Sequence, residues 1–417
     1  MRRTATTLAL LGMLSLTGCA STAPAATPTS TGTAVTPAAD PTDLLDCSPQ
    51  LKKAADPALF DGSHCWTSSD VPLTMTTHGD SVFALVKQIN GSGLKVVARN
   101  AADGKKLWTS AALEDIAPGS SNLLQLKDFS ARGVESVAVG YRLKEGFRVL
   151  VFDAKSGKEL GRADEATSPR EVTWGSGAVA LKGYKDEVSV LTSTTLAFKE
   201  LPALPWDAKA PAANDTLSPT ILGNHVLYAT PDRLVLDMAA PGTAGPVLTD
   251  AAGAKLANLP RGAGMPAAAF CGDYGLVDKE DGGKPEWIDL TSGKQVPKPG
   301  CTNLDHITMG PAESGTVGVG ALNGIIAPDG KRIAIAGVGT FSTADGTVVP
   351  LAKGFGAYGI AGDKLMGPVA NYDLTTGQEI PHADMTSMTG VAVFGSKGAS
   401  TAVFRSSSWG LGGVAVK

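Results

Sequence analysis

The feature that most limits what this chain can fold into is a short turn that keeps returning between β-type runs. Its fullest copy is Ala98-Arg-Asn-Ala-Ala-Asp-Gly-Lys-Lys-Leu-Trp108. An Asn or Asp ends an apolar run, a few polar residues follow, and a Gly leads into the next run. The same shape recurs at Phe152-Asp153 to Leu160, Ile288-Asp289 to Val296 and Tyr372-Asp373 to Ile380. The residue types suit a tight connection between antiparallel strands. The Asn or Asp side chain accepts backbone N–H groups inside the turn, and Gly supplies the positive φ that re-enters the next strand. One such turn predicts only a hairpin. Its return at intervals averaging about 45 residues predicts a repeat of four-stranded units.

Short apolar runs flank these turns throughout the chain. The first units are Val82–Val86 with Leu94–Ala98 and Lys106–Trp108, then Val134–Tyr141 with Phe147–Phe152. Ala178–Leu181 and Val188–Leu191 follow, with a degraded turn at Thr192–Thr195, and then His225–Tyr228 with Arg233–Leu236. Tyr274–Val277 with Glu286–Ile288, a stretch from Thr316 to Leu351, and Asn371–Gly377 complete seven units. With 50 Gly and only 18% charged residues, the 417-residue chain has the composition for many tight turns between short strands. Its 43% hydrophobic content is enough for a large core. The expected fold is all-β, a β-propeller of four-stranded antiparallel blades, with seven blades favoured and eight the alternative. The count turns on Val391–Phe394, Thr401–Phe404 and Gly413–Val416. Completing a blade with Pro72-Leu-Thr-Met75 they close a ring of seven; as a blade of their own they make eight.

The N-terminus reads as an address. Arg2-Arg3 precede the apolar run Leu8–Leu14, which is too short to span a bilayer as a helix. The run ends in Leu16-Thr17-Gly18-Cys19, which resembles the bacterial lipobox, where Cys19 would carry the lipid and become the first mature residue. Residues 1–18 are expected to be a signal peptide. Residues 19–45 are the lipidated Cys and an Ala/Thr/Pro/Ser tether, and residues 46–417 the propeller. That arrangement implies an extracytoplasmic protein held on the cell membrane through Cys19. The formal net charge of -4 and the lack of a basic patch give no reason to expect nucleic acid.

Four cysteines remain after Cys19: Cys47, Cys65, Cys271 and Cys301. An even number in an exported chain predicts two disulfides, and Cys47–Cys65 with Cys271–Cys301 is the sequence-local choice among three connectivities. His64 adjoins Cys65 and His306 follows Cys301, but no metal-ligand spacing accompanies them, so no metal is expected.

The pattern Ala98-x-Asn100-x-x-Asp103-Gly104-x-x-x-Trp108 resembles the repeat of quinoprotein-type, PQQ-binding-like propellers. The resemblance covers about residues 66 to 417 and implies that Asn100, Gly104, Trp108, Asp153, Gly157, Asp289, Gly293, Asp373 and Gly377 are structural turn residues, with Trp108 docking between blades. Gly161, Pro297 and Pro381 stand where that repeat has Trp. Quinoprotein dehydrogenases use vicinal cysteines, which this chain lacks. Many lipoproteins of the group bind no quinone, and one is a scaffold in envelope assembly. The Ala/Gly/Thr-rich text is similar to that of actinobacterial proteins. No hydrolase elbow, zinc-protease helix or phosphate loop is present, so no catalytic residues and no cofactor are expected. The expected role is a monomeric, non-enzymatic binding or scaffold module for a protein or small ligand, with a protein partner in the envelope. The alternatives are a PQQ-dependent dehydrogenase and a solute-sensing ectodomain of an envelope complex.

Overall fold

The structure is a computed structural model. It describes residues 44–54, 60–87, 93–119, 123–131, 133–185, 187–201, 225–237, 247–258, 268–277, 286–297, 306–308, 324–326, 331–335, 339–342, 347–351, 359–361, 363–366, 370–381, 388–396, 399–406 and 410–416. Cys19, the leader and most of the tether lie outside this set, as does Cys301, so the Cys271–Cys301 pairing does too.

The described strands group into eight antiparallel sheets, six of them four-stranded and two five-stranded. In chain order, sheet I spans residues 72–109, II 125–165, III 171–200, IV 225–258, V 268–308, VI 324–350 and VII 359–381. Sheet VIII takes three strands from the end of the chain, Met388–Ser396, Ala399–Ser406 and Gly410–Val416. Its fourth strand is Phe60–Ser68 from the beginning, and Leu44–Leu45 adds a fifth. Sheets made of consecutive strands joined by tight turns are the all-β, blade-like architecture that the repeat predicts.

The interior follows from the parity of the inner strands. In Ser81–Lys87, Phe83 and Leu85 pack toward Val137, Val139 and Tyr141 of sheet II. Val82, Ala84 and Val86 face the other way, onto Trp66, Val403 and Leu411 of sheet VIII. Sheet II repeats the device: Leu150 and Phe152 meet sheet I, while Phe147, Val149 and Val151 meet Trp174, Val179 and Leu181 of sheet III. A strand buried on both faces must be apolar at both parities, which is why these stretches read as unbroken hydrophobic runs. Further clusters join III to IV, IV to V and VI to VII. The first strand of sheet I runs beside the first strand of sheet II and also beside that of sheet VIII.

The expectation for Pro72–Met75 needs correction. Pro72–His78 is the first strand of sheet I and pairs with Ser81–Lys87, with Thr74 opposite Leu85 and Met75 opposite Ala84. The strand that completes the C-terminal sheet is Phe60–Ser68, with Trp66 opposite Gly413 and Ser68 opposite Leu411. Ahead of it, Pro49–Ala54 forms a short helix. Ser48 starts it: its Oγ accepts the Gln50 N–H at 3.2 Å, and Pro49 needs no N–H partner in the first turn.

Candidate functional site

The recurring turn has one geometry in all four of its full copies. The first residue donates its N–H to the carbonyl five residues on, and the Gly donates back to the first residue's carbonyl. These bonds are 2.9 and 2.9 Å at Asn100 and Gly104, 2.8 and 2.9 Å at Asp153 and Gly157, 2.9 and 2.7 Å at Asp289 and Gly293, and 3.0 and 2.9 Å at Asp373 and Gly377. The four glycines have φ of +72°, +70°, +68° and +67°. A side chain there would cost about 1–2 kcal/mol of backbone strain. The acidic side chains are occupied within the turns. Asp373 Oδ1 accepts the Thr376 N–H at 2.8 Å, the Thr375 N–H at 3.0 Å and the Thr376 hydroxyl at 3.0 Å. The Thr376 backbone bond leads in holding this carboxyl down at about 2. Burial pushes Asp153 up, but the Ser156 hydroxyl and N–H outweigh it, and its carboxyl also titrates below the ordinary range. In Asp153, Asp289 and Asp373 alike, Oδ1 caps the turn's own backbone.

Trp108 docks on the turn of the next sheet. It is fully buried and its Nε1 donates to the Ala154 carbonyl at 3.0 Å. A Cβ on Gly157 would lie 2.4 Å from its ring. Trp66 repeats the contact one sheet earlier, donating to the Ala101 carbonyl at 2.8 Å and covering Gly104, where a Cβ would also lie 2.4 Å from the ring. The repeat pattern did not single out Trp66, because no turn precedes it in the chain. Between sheets II and III the two partners are exchanged. Gly161 sits at the tryptophan position, and Leu196 holds the positive-φ position at +49°, its N–H bonding to the Thr192 carbonyl at 2.9 Å. A Cβ on Gly161 would lie 2.8 Å from Leu196 Cδ1. Large against small is kept; only the sides change. Among the described residues nothing lies within 4 Å of a Cβ placed on Gly293, whereas Gly377 is covered by Val349.

Polar side chains converge beside these knots, where the first and second strands connect. His78 Nδ1 lies 3.2 Å from Asp128 Oδ2 and 3.3 Å from Ser130 Oγ. The Asp128 bond leads in raising the imidazole's pKa above its ordinary value, against partial burial, with Glu135 adding to it. Aspartate and serine both meet the same ring nitrogen, and Ser130 Oγ donates to the Ser136 carbonyl at 3.1 Å. A nucleophilic relay needs them on opposite nitrogens, so this is no catalytic triad. The contacts continue from sheet to sheet. Ser176 Oγ donates to the Ser130 carbonyl at 3.3 Å, the Ser176 N–H donates to Tyr228 Oη at 3.1 Å, and Tyr228 donates to the Gly272 carbonyl at 2.9 Å. Sheets I to V are thus tied along one end by a polar chain that local sequence motifs do not announce.

A small cleft lies between the 110–114 segment and the outer strand of sheet II, lined by Tyr141, Phe152, Glu114, Glu159 and Arg162. Its charges pair among themselves: Arg162 meets Glu159 at 3.3 Å and Glu114 at 3.8 Å. Below them Arg148 forms a two-pronged bond to Asp164 at 2.6 and 2.7 Å, which holds that carboxyl below its ordinary range. Burial pushes the Tyr141 phenol up. The cysteine expectation holds for Cys47 and Cys65, which form a disulfide with Cα atoms 5.5 Å apart. Among the described residues, no group of three or more His, Cys, Asp or Glu is placed to hold a metal ion.

No protein-family profile matches the chain, and no curated protein matches it. Solved structures overlap it loosely. The computationally designed Ika8 protein is 12% identical, with 84% of this chain and 97% of that one covered and a TM-score of 0.42. BamB from Moraxella catarrhalis is 14% identical, with 84% and 99% covered and a TM-score of 0.40. AztD from Citrobacter koseri is 12% identical, with 76% and 90% covered and a TM-score of 0.35. These overlaps carry no argument about a ligand or partner.

Proposed function

We propose that this chain is an extracytoplasmic lipoprotein whose eight-bladed, closed β-propeller binds a protein partner in the cell envelope and catalyses no reaction. The observation that carries the reading is where the polar chemistry goes. The turn carboxylates cap their own backbones, the His78 group has both partners on one nitrogen, and the cleft's arginine is paired with both of its glutamates. A rigid scaffold with its reactive groups occupied internally suits recognition through its connecting loops.

The eight sheets among the described residues favour eight blades, and the pairing of Phe60–Ser68 with Gly410–Val416 favours a ring closed by that strand. The Cys47–Cys65 disulfide suits an oxidising compartment, and Cys19 after a short apolar run suits lipid attachment. The PQQ-like repeat resemblance contributes the turn geometry and no quinone site. The test is photo-cross-linking on intact cells from positions around the polar end, comparing the natural chain with Cys19→Ala. A discrete cross-linked partner lost when the anchor is removed supports the reading. A rise in melting temperature on adding PQQ and Ca²⁺ would replace it with the dehydrogenase reading.

A further inference from the structure

Sheet VIII is completed by a strand from the same end of the chain that carries the membrane anchor in the reading above, and the inference here rests on that reading. Tension on the anchor reaches the body of the protein through this strand. The strand is unevenly held. Phe60 and Asp61 pair with Val416 and Ala415, then the register breaks until Cys65 meets Val414. Gly62, Ser63 and His64 bulge out into solvent, stabilised only locally. Asp61 Oδ1 accepts the Ser63 hydroxyl at 2.6 Å, and its Oδ2 meets His64 Nδ1 at 2.8 Å.

The firm attachment lies past the bulge. Trp66 is buried against Gly104 and Gly413 and bonds to the Ala101 carbonyl. Thr67 and Ser68 pair with Gly412 and Leu411. Asp70, just beyond, accepts two bonds from the fully buried guanidinium of Arg99. Without a cross-link, tension entering at residue 44 would peel Leu44 and Leu45, then the helix, then Phe60 and Asp61, one pairing at a time. The bridge from Cys47 to Cys65 carries the pull past that weak stretch. It delivers the pull beside Trp66, where the strand must give way as a unit.

We propose that the Cys47–Cys65 disulfide is a tension clamp: while oxidised it keeps the ring's closing strand seated under a pull from the N-terminal anchor, and its reduction lets that strand peel. The bridged residues are 18 apart, so reduction frees roughly 60 Å of extended chain.

The test is optical-trap extension of the mature chain, held at its N-terminus and, so that Gly410–Val416 is not itself pulled, through a site-specifically introduced unnatural amino acid at the exposed Lys144 of sheet II. In the oxidised protein the first unfolding event should be large and occur at high force. After reduction of the folded protein, or in Cys47→Ser/Cys65→Ser, an early gain of roughly 60 Å should come first, at a force lower by at least a third. Reduction in place keeps the test informative if the variant folds poorly, and the variant excludes effects of the other cysteines. An unchanged force for release of the strand would overturn the clamp. Membrane fractionation of Cys19→Ala tests the anchor by itself, so failure of the anchor and failure of the clamp give different results.

Discussion

If the docking of Trp108 on Gly157 and of Leu196 on Gly161 are two versions of one inter-sheet knob and socket, the second version should be transferable to the first site. The perturbation is Trp108→Gly combined with Gly157→Leu, which copies the II–III arrangement into the I–II interface. Trp108 is 1% exposed and also satisfies the Ala154 carbonyl, so its loss alone should cost about 4 kcal/mol. Gly157→Leu alone forces a side chain onto φ +70° with its Cβ 2.4 Å from the indole. Backbone strain of about 1–2 kcal/mol and overpacking of about 1–3 kcal/mol give roughly 3 kcal/mol. Independent effects would sum to about 7 kcal/mol in the double variant. A shared socket removes the clash and refills the space, so the double variant should cost only about 4–5 kcal/mol, a coupling of 2–3 kcal/mol. Urea unfolding of all four proteins, read at constant m-value, measures it. Additivity within about 0.5 kcal/mol would refute the shared-socket reasoning.

Other expectations test separate parts of the fold. Asp70→Ala takes the carboxylate away from the fully buried Arg99 guanidinium, which keeps the Gly104 carbonyl at 2.8 Å, and should cost about 3 kcal/mol by urea unfolding, more than losing an exposed pair such as Lys105–Asp103. The His78 pKa is raised in the folded state, so the Asp128 bond contributes its full stability below the ordinary histidine value of 6.5 and loses it as pH rises through the folded pKa. The melting-temperature gap between the natural chain and His78→Asn should therefore be widest below 6.5 and narrow as pH rises through the raised folded pKa. For Asp373 the sign is opposite: its contribution is present above the ordinary carboxyl value of 3.8 and is lost as pH falls through about 2. Asp373→Ala should cost about 1 kcal/mol at neutral pH and progressively less as pH falls from 3.8 through about 2, by thermal melts.

Local features were legible from sequence because their causes are local. The turns at Asn100, Asp153, Asp289 and Asp373 carry both cap and glycine within five residues, and apolar runs such as Val82–Val86 mark strands buried on both faces. Phe60–Ser68 escaped because the exposed bulge at Gly62–His64 breaks its period and its partner strand begins at Gly410. Its fourth-strand position then left Pro72–Met75 as the apparent closing element. Gly161 looked like a degraded repeat and Thr192–Thr195 like a degraded turn. Only the packing of Gly161 on Leu196 shows that each departure compensates the other. The His78–Asp128 pair joins residues 50 apart on different sheets, with no motif to mark either one.

The two ends of the chain share one sheet, and in the function proposed above that pairing closes the ring. Native-state hydrogen exchange read by mass spectrometry on the natural chain tests it most directly, comparing Phe60–Ser68 and Gly410–Val416 with the interior strand Ser136–Arg142. The paired amides of the two terminal strands should be as protected as the interior strand and open together with it. Fast exchange of either terminal strand, while Ser136–Arg142 stays protected, would contradict closure.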